Sequence, residues 1–117
     1  MLRAMPSIAL LTDDGRLVAM VSIAGNAALD GGPPSRGCTI LPVPTDAALL
    51  DEPLMAAIEP WLNDELGARV IARDRGGAIA RIALGAEEIL VVELDDDGRG
   101  AWRLDPGPSA TGRCRIA

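Results

Sequence analysis

Turn signals divide this chain into short apolar runs, and that spacing constrains its fold more than any other feature. Asp13-Asp14-Gly15, Arg75-Gly76-Gly77, Gly85-Ala86-Glu87-Glu88 and Asp95-Asp96-Asp97-Gly98 each end one run and begin the next. The runs between them have strand length, and neighbours across a tight turn pair as antiparallel hairpins. Ser7 to Thr12 and Arg16 to Ile23 form the first hairpin. Arg69 to Asp74, Ala78 to Leu84 and Ile89 to Val92 supply further strands, and Ala101 to Leu104 a weaker last one. Ile89-Leu90-Val91-Val92 is apolar on both faces, which predicts the most buried strand.

The middle of the chain reads differently. Residues 25–37 contain Gly31-Gly32-Pro33-Pro34-Ser35, and adjacent prolines lack the N–H that a ladder needs, so this stretch reads as a loop. Cys38 to Leu41 adds an edge strand at best, because Pro42 and Pro44 follow. Thr45 or Asp46 can cap a helix start. Leu54, Ile58, Trp61, Leu62 and Leu66 then fall on one apolar stripe at helical spacing, with Gly67 as the residue beyond its end. Pro60 removes an internal hydrogen bond, which predicts either a kink or two consecutive short helices, the second starting at Pro60. The expected fold is therefore a single α+β domain over residues 1–106. It has a mostly antiparallel sheet of about five to six strands, order β-β-α-β-β-β, with the helical segment packed on one face. Residues 107–117, dominated by Pro, Gly, Ser and Thr, read as a flexible tail.

The chemical inventory is thin. The 117 residues include no His, Tyr, Phe, Lys or Gln, and the only aromatic side chains are Trp61 and Trp102. With 49% hydrophobic residues, the core must be built from Leu, Ile, Val and Ala. Without His there is no Ser-His-Asp triad and no Cys-His pair, and Cys38 and Cys114 alone are too few soft ligands for zinc. These two cysteines read as buried free thiols of a cytoplasmic protein. Asp95-Asp96-Asp97-Gly98 has part of a calcium loop, but the twelfth position from Asp95 is Pro106 where a bidentate Glu is needed, so a solvated turn is expected. Gly31 to Gly37 lacks the Lys of a phosphate-binding loop. A carboxylate pair is the one remaining route to an enzyme, a hydrolase. The expectation is no enzyme, no cofactor and no metal.

Charge gives the functional lead. The formal net charge is -6, which argues against a nucleic-acid partner. Residues 46–66 carry six of the seventeen acids and no Arg, while the other eleven acids are matched by all eleven Arg. An acidic helical face formed by Asp51, Glu52, Glu59, Asp64 and Glu65 is thus expected to steer toward a protein partner with a basic surface. Trp61, on the apolar stripe, reads as core. Trp102, beside Arg99 and Arg103, is the better interface candidate of the two, although packing is the commoner role for such a residue. No apolar run is long enough to span a membrane, and the run after Pro6 is too short for a secretory leader, so no membrane partner is expected.

Two resemblances add expectations. Ile8 to Ala19, then Arg69 to Gly77, Ile82 to Gly85 and Ile89 to Val92, resemble the roadblock (dynein light chain) family in hydrophobic pattern and turns. That resemblance implies a non-enzymatic dimer that regulates small GTPases or related complexes. Leu54 to Ile82, with its Asn63-Asp64 break and Asp74-Arg75-Gly76 turn, is similar to coupling (effector) proteins of multicomponent monooxygenases. This implies a cofactor-free protein that binds a hydroxylase. A small accessory or inhibitor protein of a mobile element, occupying a basic site with its acidic face, is a further reading of the same charge pattern.

Overall fold

The computed structural model describes residues 7–23, 35–43, 52–72, 77–85, 87–105 and 110–116. Its strands are β1 (Ile8–Leu11), β2 (Leu17–Ile23), β3 (Ser35–Pro42), β4 (Leu66–Ala72), β5 (Ala78–Leu84), β6 (Glu88–Leu94), β7 (Arg99–Asp105) and β8 (Thr111–Ile116). Each strand pairs antiparallel with the next, and β8 returns to pair with β1, Leu10 opposite Cys114. The result is a closed eight-stranded up-and-down barrel.

This corrects the expected open α+β sheet of five to six strands. Three local reasons account for the difference. β3 begins at Ser35, inside the stretch read as a loop, and it pairs on both sides with β2 and β4, so it is no edge strand. Its ladder to β4 slips between Arg36 and Cys38, and such a bulge adds the bend and twist that closure needs. The segment read as a tail supplies β8, which pairs with both β7 and β1, so the domain does not end at residue 106. The rest of the Gly/Pro stretch, residues 25–34, lies outside the described residues, as do Thr45 and Asp46.

Period-two alternation sorts side chains to the two faces of the wall. Ile8, Leu10, Val21, Ile40, Val70, Ile82, Leu90, Val92 and Leu104 are buried members of one core cluster inside the barrel. Trp102 fills the interior beside them, 4% exposed. Each fully buried aliphatic side chain contributes roughly 1.5–3 kcal/mol of burial energy. β6 is buried at Leu90, Val91, Val92 and Leu94 but exposed at Ile89, so the most buried strand is not the one expected from its two-faced apolar run but β1, buried at all four positions.

The outer wall is charged. Arg69, Arg81, Arg99, Arg113 and Arg115 are exposed, and Arg103 is partly so. A transmembrane barrel shows lipid an apolar outer band and keeps a polar interior, and this barrel has the reverse pattern. No helix among the described residues is long and apolar enough to cross a membrane.

Between β3 and β4 the chain forms α1 (Pro53–Ile58) and a 3-10 turn at Glu59–Trp61. Pro53 occupies the first turn, where its missing N–H costs nothing. Pro60 has no N–H to continue the helix, so α1 stops after six residues. Consecutive short helical pieces were expected here, but the stripe does not run on as helix, since Leu66 opens β4. Asn63 adopts φ 65°, a left-handed conformation that Asn tolerates, and its N–H donates to the Ile40 carbonyl at 3.0 Å. Leu54, Met55 and Ile58 are buried in the barrel's core cluster. Because successive strands reverse direction, the β3–β4 connection lies at the same end of the barrel as the β1–β2 and β5–β6 turns. α1 therefore plugs that end.

Candidate functional site

The plugged end gathers the acids. Asp13 and Asp14 come from the β1–β2 turn, Glu52, Glu59, Asp64 and Glu65 from the β3–β4 connection, and Glu87 and Glu88 from the β5–β6 turn. Among the described residues of these three connections the only cation is Arg16. It is already engaged, its Nε 3.1 Å from Asp14 and its terminal nitrogen 3.2 Å from Glu52. The Thr12 hydroxyl also donates to Asp14. That bond first, and the Arg16 guanidinium second, hold the Asp14 carboxyl below its ordinary 3.8.

Between α1 and the β5–β6 turn a cleft of about 650 Å³ opens, lined by Ala56, Ala57, Pro60, Trp61, Leu84, Gly85, Glu87 and Glu88. Its floor is apolar and its rim carboxylate. Trp61 is half-buried and its indole lies over Gly85, where an added Cβ would come within 3.0 Å of the ring. Gly85 also has φ +79°, so both space and backbone reserve that position for glycine.

Of the residues named from sequence, Glu52, Glu59, Asp64 and Glu65 share this acidic end. Glu59, Asp64 and Glu65 are exposed, while Glu52 is tied to Arg16. Asp51 lies outside the described residues. Trp102 does not join them and is no surface anchor, because its ring is inside the barrel and its indole N–H donates to the Leu11 carbonyl at 2.8 Å. Trp102 thus takes the packing role that was the commoner reading for it, while Trp61, read as core, packs against the core cluster and also lines the cleft. Glu87, Glu88 and Trp61 are the site residues that sequence reasoning missed. The β5–β6 turn was visible as a turn, but nothing local placed it beside the helix.

The remaining charge is uneven rather than neutral. Arg69 stands directly opposite Arg81, and Arg99 opposite Arg115, in the strand register. Like charges in such pairs are destabilising. Among the described residues Arg103 alone on this wall is in ion pairs, to Glu93 at 2.9 Å and Asp105 at 3.2 Å. Asp95, Asp96 and Asp97 converge within 4.8 Å at the opposite end of the barrel, fully exposed. Asp95 there accepts the Asp97 and Arg99 N–H groups, the ordinary geometry of an acidic turn. Cys38 and Cys114 are free and buried.

No protein-family model, curated protein or solved structure matches the chain.

Proposed function

We propose that the chain is a non-enzymatic binding and regulatory module that takes a basic protein partner against the helical end of its barrel. The observation that carries this reading is the largely apolar cleft beside Trp61, flanked by Glu87 and Glu88, at an end whose described connections also hold Glu59, Asp64 and Glu65. A half-buried Trp in a pocket is the usual energetic anchor of a protein contact. The surrounding carboxylates raise the encounter rate with a cationic segment and set its orientation. The barrel interior, filled by aliphatic side chains and Trp102, is used for stability and the end for recognition. Two buried free thiols support a reducing, cytoplasmic setting.

The test is a selection of displayed random peptides on the immobilised chain. The expected binders place Arg or Lys around an apolar residue. Their affinity falls at least about tenfold between about 50 and 500 mM salt, because the steering field is screened within about 8 Å at physiological ionic strength. The triple variant Glu59→Arg/Asp64→Arg/Glu65→Arg, whose side chains are exposed, keeps its fold and loses these binders. Binders without basic residues, or binding that the triple variant retains, would remove the reading.

A further inference from the structure

Two choices on the outer wall of β4 and β5 work against the sheet that carries them. Arg69 stands directly opposite Arg81, both are exposed, and among the described residues neither is in an ion pair. Opposed like charges destabilise a strand pair. Two positions before Arg69, on the same face of β4, is Gly67. Glycine weakens a strand, and its usual reasons there are a bulge, a tight bend or the close approach of a ligand or another backbone. Gly67 has none of the structural reasons. Its φ is not positive, an added Cβ would meet nothing within 4 Å, and the slip in the neighbouring ladder falls at Gly37 on β3.

The room left by that glycine is an open hollow of about 150 Å³, lined by Gly67, Ala68, Arg69, Arg81, Ala83 and Ile89. The small residues Gly67 and Ala83 lie low between longer neighbours. Ile89, the register partner of Ala83, is 38% exposed. Apart from the two guanidiniums the lining is apolar, and a space of this order takes one benzene-sized group. Positions that break local rules without a structural return are expected at functional sites. We infer that this hollow binds a small monocarboxylic acid with a compact apolar body, its carboxylate held by Arg69 and Arg81 and its body seated over Gly67. A guanidinium is a planar fork that matches a carboxylate, and the acid supplies the countercharge that this pair lacks. The body occupies the volume that a side chain at position 67 would fill, and it packs against Ile89. A bare inorganic anion would leave that apolar floor uncovered. The hollow shares no residue with the Trp61 cleft, so the inference goes beyond the cleft reading and does not depend on it.

An NMR titration of the full chain with phenylacetate as the probe tests it. Saturable shifts are expected at the Gly67, Ala83 and Ile89 amides and at the Arg69 and Arg81 side-chain N–H groups, with a Kd of about 1 mM. Benzyl alcohol, which has the ring without the charge, and acetate and inorganic phosphate, which have charge without the ring, bind at least about tenfold more weakly. Gly67→Val fills the hollow with a good strand former, so it melts no lower than wild type and loses at least about tenfold in affinity. Arg69→Gln/Arg81→Gln removes the charge pair and loses as much, with circular dichroism confirming its fold. The inference is overturned by the absence of saturable shifts, by acetate or phosphate binding as tightly as phenylacetate, or by either variant binding like wild type. A lowered melting point for Gly67→Val would give the glycine a structural reason and overturn it as well.

Discussion

The indole N–H of Trp102 reaches the Leu11 carbonyl oxygen at 2.8 Å, which ties β7 to β1 across the intervening β8. The crossing needs Gly112. It is the register partner of Trp102, and a Cβ on it would collide with the indole ring and with the Leu11 carbonyl. The bond therefore staples the closure of the barrel on its inner side, at the strand pair that joins the chain's two ends.

Trp102→Phe keeps an aromatic ring but leaves the Leu11 carbonyl without this donor. A buried polar group deprived of its partner costs about 1–3 kcal/mol. Gly112→Ala overpacks the same place, which costs about 1–3 kcal/mol or more when backbone must move. Urea unfolding should show a lowered midpoint for each variant. An unchanged midpoint for Gly112→Ala would mean that the ring does not cross the glycine.

Val91 and Val92 are both buried, at 1% exposure each, yet they face opposite sides of the wall. Val92 is in the interior cluster. Val91 stands in register between Arg81 and Arg103, outside the barrel. Val92→Asp places an unpaired charge among aliphatic side chains and should abolish cooperative folding, a cost of several kcal/mol. Val91→Asp sets a carboxylate between two guanidiniums and should leave a folded protein. Thermal melts of the two variants separate the faces, and equal damage from both would refute the register.

Much of the strand content was legible because hairpins are local. Asp13-Asp14-Gly15 and the apolar runs around it predict β1 and β2, and the same logic holds for β4, β5 and β6. Closure was not legible. β8 offers only Gly112 and Cys114 as buried residues, so its pattern gives almost no hydrophobic signal, and its pairing with β1 spans nearly the whole chain. The acidic end was half legible, since Glu59, Asp64 and Glu65 sit within one short segment. The contribution of Glu87 and Glu88, like the facing of Arg69 with Arg81, is a product of register and end-to-end packing. Neither is a property of any single segment. Trp61 and Trp102 show the same limit. Helical spacing assigned Trp61 to the core, but α1 ends at Ile58 and Trp61 sits in the 3-10 turn, where its ring packs against the core cluster and also lines the cleft.

The β1–β2 turn makes a second kind of prediction. Asp14 is held below its ordinary 3.8 by the Thr12 hydroxyl and then by Arg16. A group whose folded value is depressed adds stability above its unfolded value and loses it as pH falls through the folded one. The turn should therefore stay clamped near pH 4, where unpartnered carboxylates are already protonating. A carboxyl-detected NMR titration should place the Asp14 midpoint below 3.8, and Thr12→Val should raise it. A midpoint that Thr12→Val leaves in place would show that the hydroxyl bond does not form in solution.

Alkaline pH isolates the thiols with unusual clarity, because the chain has no Lys and no Tyr to titrate beside them. Burial pushes Cys38 up from 9.0 to about 12. Burial first, then the Asp95 and Glu93 charges, pushes Cys114 up to about 11. The unfolded chain releases both protons near the ordinary thiol value while the folded chain keeps them. The folded state thus binds more protons above about pH 9, and its stability must fall as pH rises there. Each thiol contributes a slope of up to about 1.4 kcal/mol per pH unit until its folded value is reached. Urea unfolding at rising pH should show a plateau up to about pH 9 and a decline beyond it. In Cys38→Ala/Cys114→Ala the decline should flatten, whatever that variant costs at neutral pH. A decline that survives removal of both thiols would assign the alkaline sensitivity to something other than these buried groups.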